Sequence, residues 1–142
     1  MTRDEIVRRG ADAYVEFFEN LTPESLGEIG DVVADGVRFT DPFNDTAGIE
    51  PMRAIFEKMF RDAVDPKFNV LHAAFDGDVC LLNWTFVGRS RIGDLSIDGM
   101  SSIRFDDTGR VIEHVDYWDA GASVYQQLPL IGPVIRFIRK RL

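Results

Sequence analysis

Asp41, Asp116, Tyr14 and His114 are the residues of this sequence best suited to moving a proton. Carboxylates and imidazoles act as general acids and bases, and a phenol held out of water can stabilise a developing oxyanion. Asp41 lies between Phe39 and Phe43, directly before Pro42. Partly desolvated among those rings, it would be a stronger base toward a weakly acidic C–H. The competing reading is that Asp41-Pro42 ends a strand and the carboxylate caps the turn. On a strand, Ile112, His114, Asp116 and Trp118 share one face, and this mix of apolar and ionisable groups suits a cavity wall. Val111, Glu113, Val115 and Tyr117 share the other face, which suits a surface or subunit contact. A buried Asp beside a His makes an acid/base pair, each stabilising the other's charged form. The plain alternative is a satisfied polar pair at a sheet end. Tyr14 sits among Ala13, Phe17 and Phe18, so burial of its ring is expected, with the hydroxyl partnered by a ligand oxygen or by Asp116.

Other side chains fill supporting roles. Asn83 interrupts an apolar strand and is expected to face the cavity as a neutral donor, with Ser101 as a second donor. Phe39, Phe56, Trp84 and Trp118 are the expected apolar lining. His72 reads as structural, and Cys80, between Val79 and Leu81, as a buried inert thiol. There are two histidines, and no zinc spacing, phosphate-binding glycine motif or nucleophile elbow is present, so no metal and no cofactor are expected.

The elements that must position these residues follow from periodicity. Thr2 and Glu5 fit a capping box ahead of a helix with apolar positions at Ile6, Val7, Tyr14, Phe17 and Phe18. Thr22-Pro23-Glu24 starts a second, short helix. Asp35-Gly36 reads as a turn, Val37 to Thr40 as a short strand, and Phe43 to Gly48 as loop. A third helix is expected over roughly Glu50 to Val64, with Met52, Ile55, Phe56, Met59 and Phe60 on one side. Four strands follow: Lys67 to Phe75, Val79 to Val87, Leu95 to Phe105 and Arg110 to Trp118. Hairpin signals at Asp76-Gly77 and at Asp106 to Gly109 join them. A short helix over Ala120 to Leu128 and a basic tail helix from Pro133 close the chain. Helices segregated from an antiparallel meander mean α+β, with the helices covering one face of a curved sheet.

The composition bounds the function. The chain has 142 residues, 45% hydrophobic and 11% aromatic, enough for one domain with a sizeable core. Its net charge of −8 argues against nucleic acid as a partner. The opening residues run straight into an amphipathic pattern without an apolar signal core, so a cytoplasmic protein is expected. The longest apolar run, Leu128 to Ile138, is broken by Pro129, Gly132, Pro133 and Arg136 and is too short to span a bilayer. The single domain is expected to fill residues 1–142, with 129–142 a basic tail or lid. Arg136, Arg139, Lys140 and Arg141 beside Val134, Ile135, Phe137 and Ile138 could touch an anionic membrane surface, but a lid over the open end of the fold is the favoured reading.

Ala13-Tyr14-Val15, Val37 to Pro42, and Ile103-Arg104-Phe105 through Gly109 to Asp116-Tyr117-Trp118-Asp119 resemble the nuclear-transport-factor-2-like superfamily. Within it the chain is similar to SnoaL-like polyketide cyclases and ketosteroid isomerases. The resemblance implies a cone-shaped α+β barrel around an apolar pocket, commonly a homodimer paired through the outer sheet face. It also implies cofactor-free proton transfer at a small, mostly apolar carbonyl compound. On that resemblance Asp41 takes the position of the general base and Tyr14 that of the oxyanion donor. Ser101 falls where the isomerases carry a second carboxylic acid. Asp116-Tyr117-Trp118-Asp119 also resembles the run ending the last strand of limonene epoxide hydrolases. Trp84 and Phe86, however, stand where those enzymes carry an Arg-x-Asp pair, which argues against epoxide hydrolysis. The alternative to an enzyme is a binding or interaction protein that uses the same cavity without chemistry.

Overall fold

A computed structural model describes residues 1–91 and 93–120. Helix α1 spans Arg3–Glu19 and begins with the expected capping box, in which Thr2 Oγ1 accepts from Glu5 N–H and Glu5 accepts from Thr2 N–H. Val7, Ala11 and Tyr14 form its buried stripe, one residue per turn. A 3₁₀ helix follows at Ser25–Asp31, entered by reciprocal Thr22–Ser25 hydrogen bonds. Helix α2 spans Ile49–Asp62 and buries Met52 and Phe56.

Six strands make one curved, unclosed sheet: β1 Val33–Thr40, β2 Asp45–Ala47, β3 Val64–Asp76, β4 Val79–Ser90, β5 Gly93–Phe105 and β6 Val111–Tyr117. Their order is β2-β1-β6-β5-β4-β3. All neighbours are antiparallel except β1 and β6, which run parallel. The α+β class is as expected, and the helices cover one face. The Asp76-Gly77 hairpin also forms, with Gly77 at φ +57° as such a turn requires.

Three local expectations are corrected. Residues 43–48 are not all loop, because 45–47 pair with β1 as β2, with Arg38 gripping Asp45 through two guanidinium nitrogens. That contact holds the Asp45 carboxyl below its usual range and raises Arg38. Asp35-Gly36 does not break the chain; it lies inside β1, whose register against β6 shifts between Val33 and Arg38. An irregularity of this kind absorbs extra residues without ending a strand. Finally, Ile112 does not share the inner face with His114. Phe105 pairs with Val111 and Arg104 with Glu113, so Ile112 is the inserted residue of a bulge and stays exposed while Val111 is fully buried. The expected elements over Ala120 to Leu128 and from Pro133, and the tail 129–142, lie outside the described residues apart from Ala120 itself.

The core sits between the sheet and the two helices, with Tyr14, Leu26, Ile29, Phe39, Met52 and Ile103 almost wholly inaccessible. Arg3 fastens the start of α1 to the turn between β5 and β6, donating to the carbonyls of Phe105 and Asp106 at 2.7 Å each. Cys80 is buried, and desolvation pushes its thiol up to about 11, as an inert core thiol should be. Among the described residues no helix is long and apolar enough to cross a membrane.

Candidate functional site

A cavity of about 520 Å³ opens between α1, α2 and the concave face of the sheet. Alternation along the strands decides which side chains reach it. Leu82, Trp84 and Phe86 of β4 point inward, and so does Ser101 of β5. His114 and Asp116 do so from β6, and Phe39 from β1. From the helices come Tyr14, Phe18, Ile55, Phe56 and Met59. The aromatic rings pack edge-on or tilted: Phe18 with Tyr14 at 4.9 Å, Phe18 with Phe56 at 5.1 Å, and Phe39 with His114 at 4.9 Å between centroids.

Five polar side chains from four elements join in one chain. Trp84 Nε1 donates to Ser101 Oγ at 2.8 Å. Ser101 Oγ donates in turn to Asp116 Oδ1, opposite it in the β5–β6 register. His114 Nε2 meets the same oxygen at 2.5 Å, and His114 Nδ1 meets the Tyr14 hydroxyl at 2.6 Å. Donor counting fixes the proton positions with a neutral imidazole. An indole N–H only donates, so Ser101 accepts from Trp84. Ser101 is 2% exposed, so its own proton goes to Asp116. Asp116 Oδ1 therefore acts as a carboxylate acceptor and takes the His114 Nε2 proton. Nδ1 is left as a lone pair that accepts from Tyr14. Among the described residues, none engages Asp116 Oδ2. Burial, then the Asp116 charge, pushes the Tyr14 phenol well above its ordinary range, so it stays protonated.

Trp84 reaches Ser101 because its register partner is Gly99. A Cβ at Gly99 would stand 2.4 Å from the indole Cζ2, so only glycine lets the ring lie across β5. 

Asp41 also borders the cavity, in the geometry of the turn-capping reading. Its Oδ1 accepts from the backbone N–H groups of Phe43 at 2.8 Å and Asn44 at 2.7 Å, and the Asn44 amide bridges both oxygens. It is not joined to the Asp116 network. Phe39, Phe56, Trp84, Ser101 and Trp118 all line the cavity, Trp118 edge-on against Phe43 at 5.5 Å. Asn83 does not line it. One residue out of phase with Leu82 and Trp84, Asn83 sits on the outer face of β4 and donates to the Gly99 carbonyl. The interruption of the apolar run is thus an outward position. His72 is likewise exposed on β3, paired with Asn83. Sequence reasoning missed Phe18, Phe68, Phe86, Ile97, Lys58 and Asp62 as lining residues. Strict alternation from Trp84 would have found Phe86, whereas Lys58 and Asp62 carry no signal beyond helix spacing.

No curated protein matches the chain significantly. Solved structures resemble it in fold at low identity. An epoxide hydrolase of the limonene-hydrolase-like type from M. tuberculosis is 18% identical, with a TM-score of 0.68 over 96% of this chain and 97% of that one. TsrD from Streptomyces laurentii is 20% identical, with a TM-score of 0.69 over 91% and 98%. A Catenulispora acidiphila protein with a ketosteroid isomerase-like fold, in complex with trimethylamine, is 15% identical, with a TM-score of 0.69 over 83% and 90%. The model of the SnoaL-like domain matches residues 14–114, from the phenol on α1 to the imidazole on β6, and this chain belongs to that family.

Proposed function

We propose that the protein binds a small, mostly apolar molecule in this cavity and moves a proton on it without a cofactor, as an isomerase or cyclase of this fold would. The observation that carries the reading is Asp116. One carboxylate oxygen is anchored by Ser101 and His114, and the other is engaged by no described residue in an otherwise greasy cavity. A carboxylate held this way is oriented for general-base work. His114 and Tyr14 extend it as a relay, because a proton gained by the imidazole can be matched by a turn of the phenol. The role assigned by resemblance to Asp41 passes to Asp116 in this reading, since Asp41 is occupied in its turn.

The test is deuterium incorporation into a panel of small apolar ketones and imines in D₂O, followed by mass spectrometry. Wild type should accelerate exchange for at least one compound, and Asp116→Asn should lower that rate by about 10²-fold or more. Unchanged exchange in the variant would remove the assignment. A second reading, binding without chemistry, is favoured by one feature: the network satisfies its own donors inside the fold, as a purely structural cluster would. Compounds that bind without exchanging would decide for it. The same proposal pairs two copies through the outer sheet face, where Leu81, Met100 and Tyr117 stand exposed; sedimentation would show a dimer that Tyr117→Glu weakens.

A further inference from the structure

Among the described residues, the charges lining the cavity are one-sided. Its described lining holds three carboxylates, Asp41, Asp62 and Asp116, and one ammonium, Lys58, which pairs with Asp62 at 2.5 Å. No arginine is among the described lining residues. The Asp116 side chain is 14% exposed, and Ser101 and His114 both hold its Oδ1. Its Oδ2 is engaged by no described residue, and a carboxylate oxygen withdrawn from water without a partner is costly to hold. Around it stand the rings of Phe18, Phe39, Phe56, Phe68 and Trp84, whose faces attract positive charge. The Tyr14 proton, meanwhile, is directed at His114, so a ligand oxygen developing negative charge would meet no phenol donor in this state.

We propose that the ligand carries a cationic nitrogen, as a protonated amine or an iminium, seated between Asp116 Oδ2 and the aromatic wall with its apolar body filling the remaining space. The inference rests on the cavity being the site of proton transfer, and it names the substrate class for it. The cation supplies the partner that Asp116 Oδ2 lacks among the described residues. It also gives the chemistry a balanced course. With an iminium, Asp116 Oδ2 takes a proton from the carbon next to C=N. The C–H electron pair becomes a C=C bond, and the C=N π pair moves onto nitrogen. A neutral enamine and a neutral carboxylic acid result. The step cancels two opposite charges and needs no oxyanion donor, oxidant or metal.

The experiment compares three phenyl compounds of similar size with different heads: 2-phenylethylammonium, 2-phenylethanol and phenylacetate. Calorimetric titration at about 0.15 M salt suppresses attraction by distant surface charge. The ammonium should bind at least about tenfold more tightly than the alcohol, and the carboxylate more weakly than both. Asp116→Asn, checked for folding by its melting temperature, should reduce the ammonium to the affinity of the alcohol. Asp107→Asn, at a fully exposed position, should leave the ratio unchanged. If Asp116→Asn does not fold, the wild-type order decides alone. An alcohol that binds as well as the ammonium, a carboxylate that binds better than the alcohol, or an equal loss of ratio in Asp107→Asn would overturn the proposal. None of these measures turnover. An ammonium preference without deuterium exchange would leave the ligand class and remove the chemistry, and exchange without the preference would do the reverse.

Discussion

Asp41 and Asp116 border one cavity, and the fold treats them differently. Asp41 follows β1 and commits both oxygens to the turn, to two backbone N–H groups and to the Asn44 amide. Asp116 stands within β6, where the ladder occupies the backbone and side chains from β5 and its own strand hold one oxygen. The first carboxylate stabilises local backbone; the second is aimed. Residue type and proximity to a cavity therefore do not identify a base, because the partners decide which lone pairs remain.

The largest effect should separate the two carboxylates in exchange assays. Asp116→Asn should lose about 10²-fold or more, and Asp41→Asn should stay within a few-fold of wild type. The opposite order would break the comparison. Next come changes that disturb the oriented side of it. Tyr14→Phe leaves His114 Nδ1 without its donor in a buried site and should cost about 1–3 kcal/mol in denaturant unfolding. Gly99→Ala drives a methyl group into the Trp84 indole and should cost a similar ~1–3 kcal/mol. Asp41→Ala, which removes turn hydrogen bonds near the exposed Phe43, should cost less, about 1 kcal/mol.

The smallest effect appears in alkali. The Tyr14 phenol is raised by burial and by Asp116, so its neutral form is favoured by folding. Its contribution is complete below the ordinary phenol value of about 10 and is lost as pH rises through the folded value. In an absorbance titration Tyr14 should fail to ionise near the ordinary phenol value of about 10, and should do so only as the fold opens. Ionisation of Tyr14 near that ordinary value, with the fold intact, would mean that water reaches the network.

Much of the fold was legible because its signals are local. The Thr2–Glu5 box, the Asp76-Gly77 turn and the alternation of β4 each lie within a few residues. The parallel pairing of β1 with β6 was not, since partners such as Phe39 and His114 are 75 residues apart and nothing nearby in sequence announces them. Neither was the Ile112 bulge, which shifts a face by one residue and depends on the β5 register. The site divides the same way. Tyr14, Ser101, His114 and Asp116 stood out singly as polar groups in apolar surroundings. Their union with Trp84 required two strand registers and one helix position at once, and Tyr14 proved to meet His114 rather than Asp116.

The vacancy above Gly99 has a consequence beyond packing. By letting the indole cross the strand, it places a group that can only give a proton against Ser101, and so commits the Ser101 hydroxyl to Asp116. A missing methyl group thereby works as a polariser, although glycine itself holds nothing to donate or accept. Another chain could keep the same tyrosine, histidine and aspartate yet carry alanine at this spot; its list of polar residues would look identical while its serine hydroxyl was no longer committed to the aspartate.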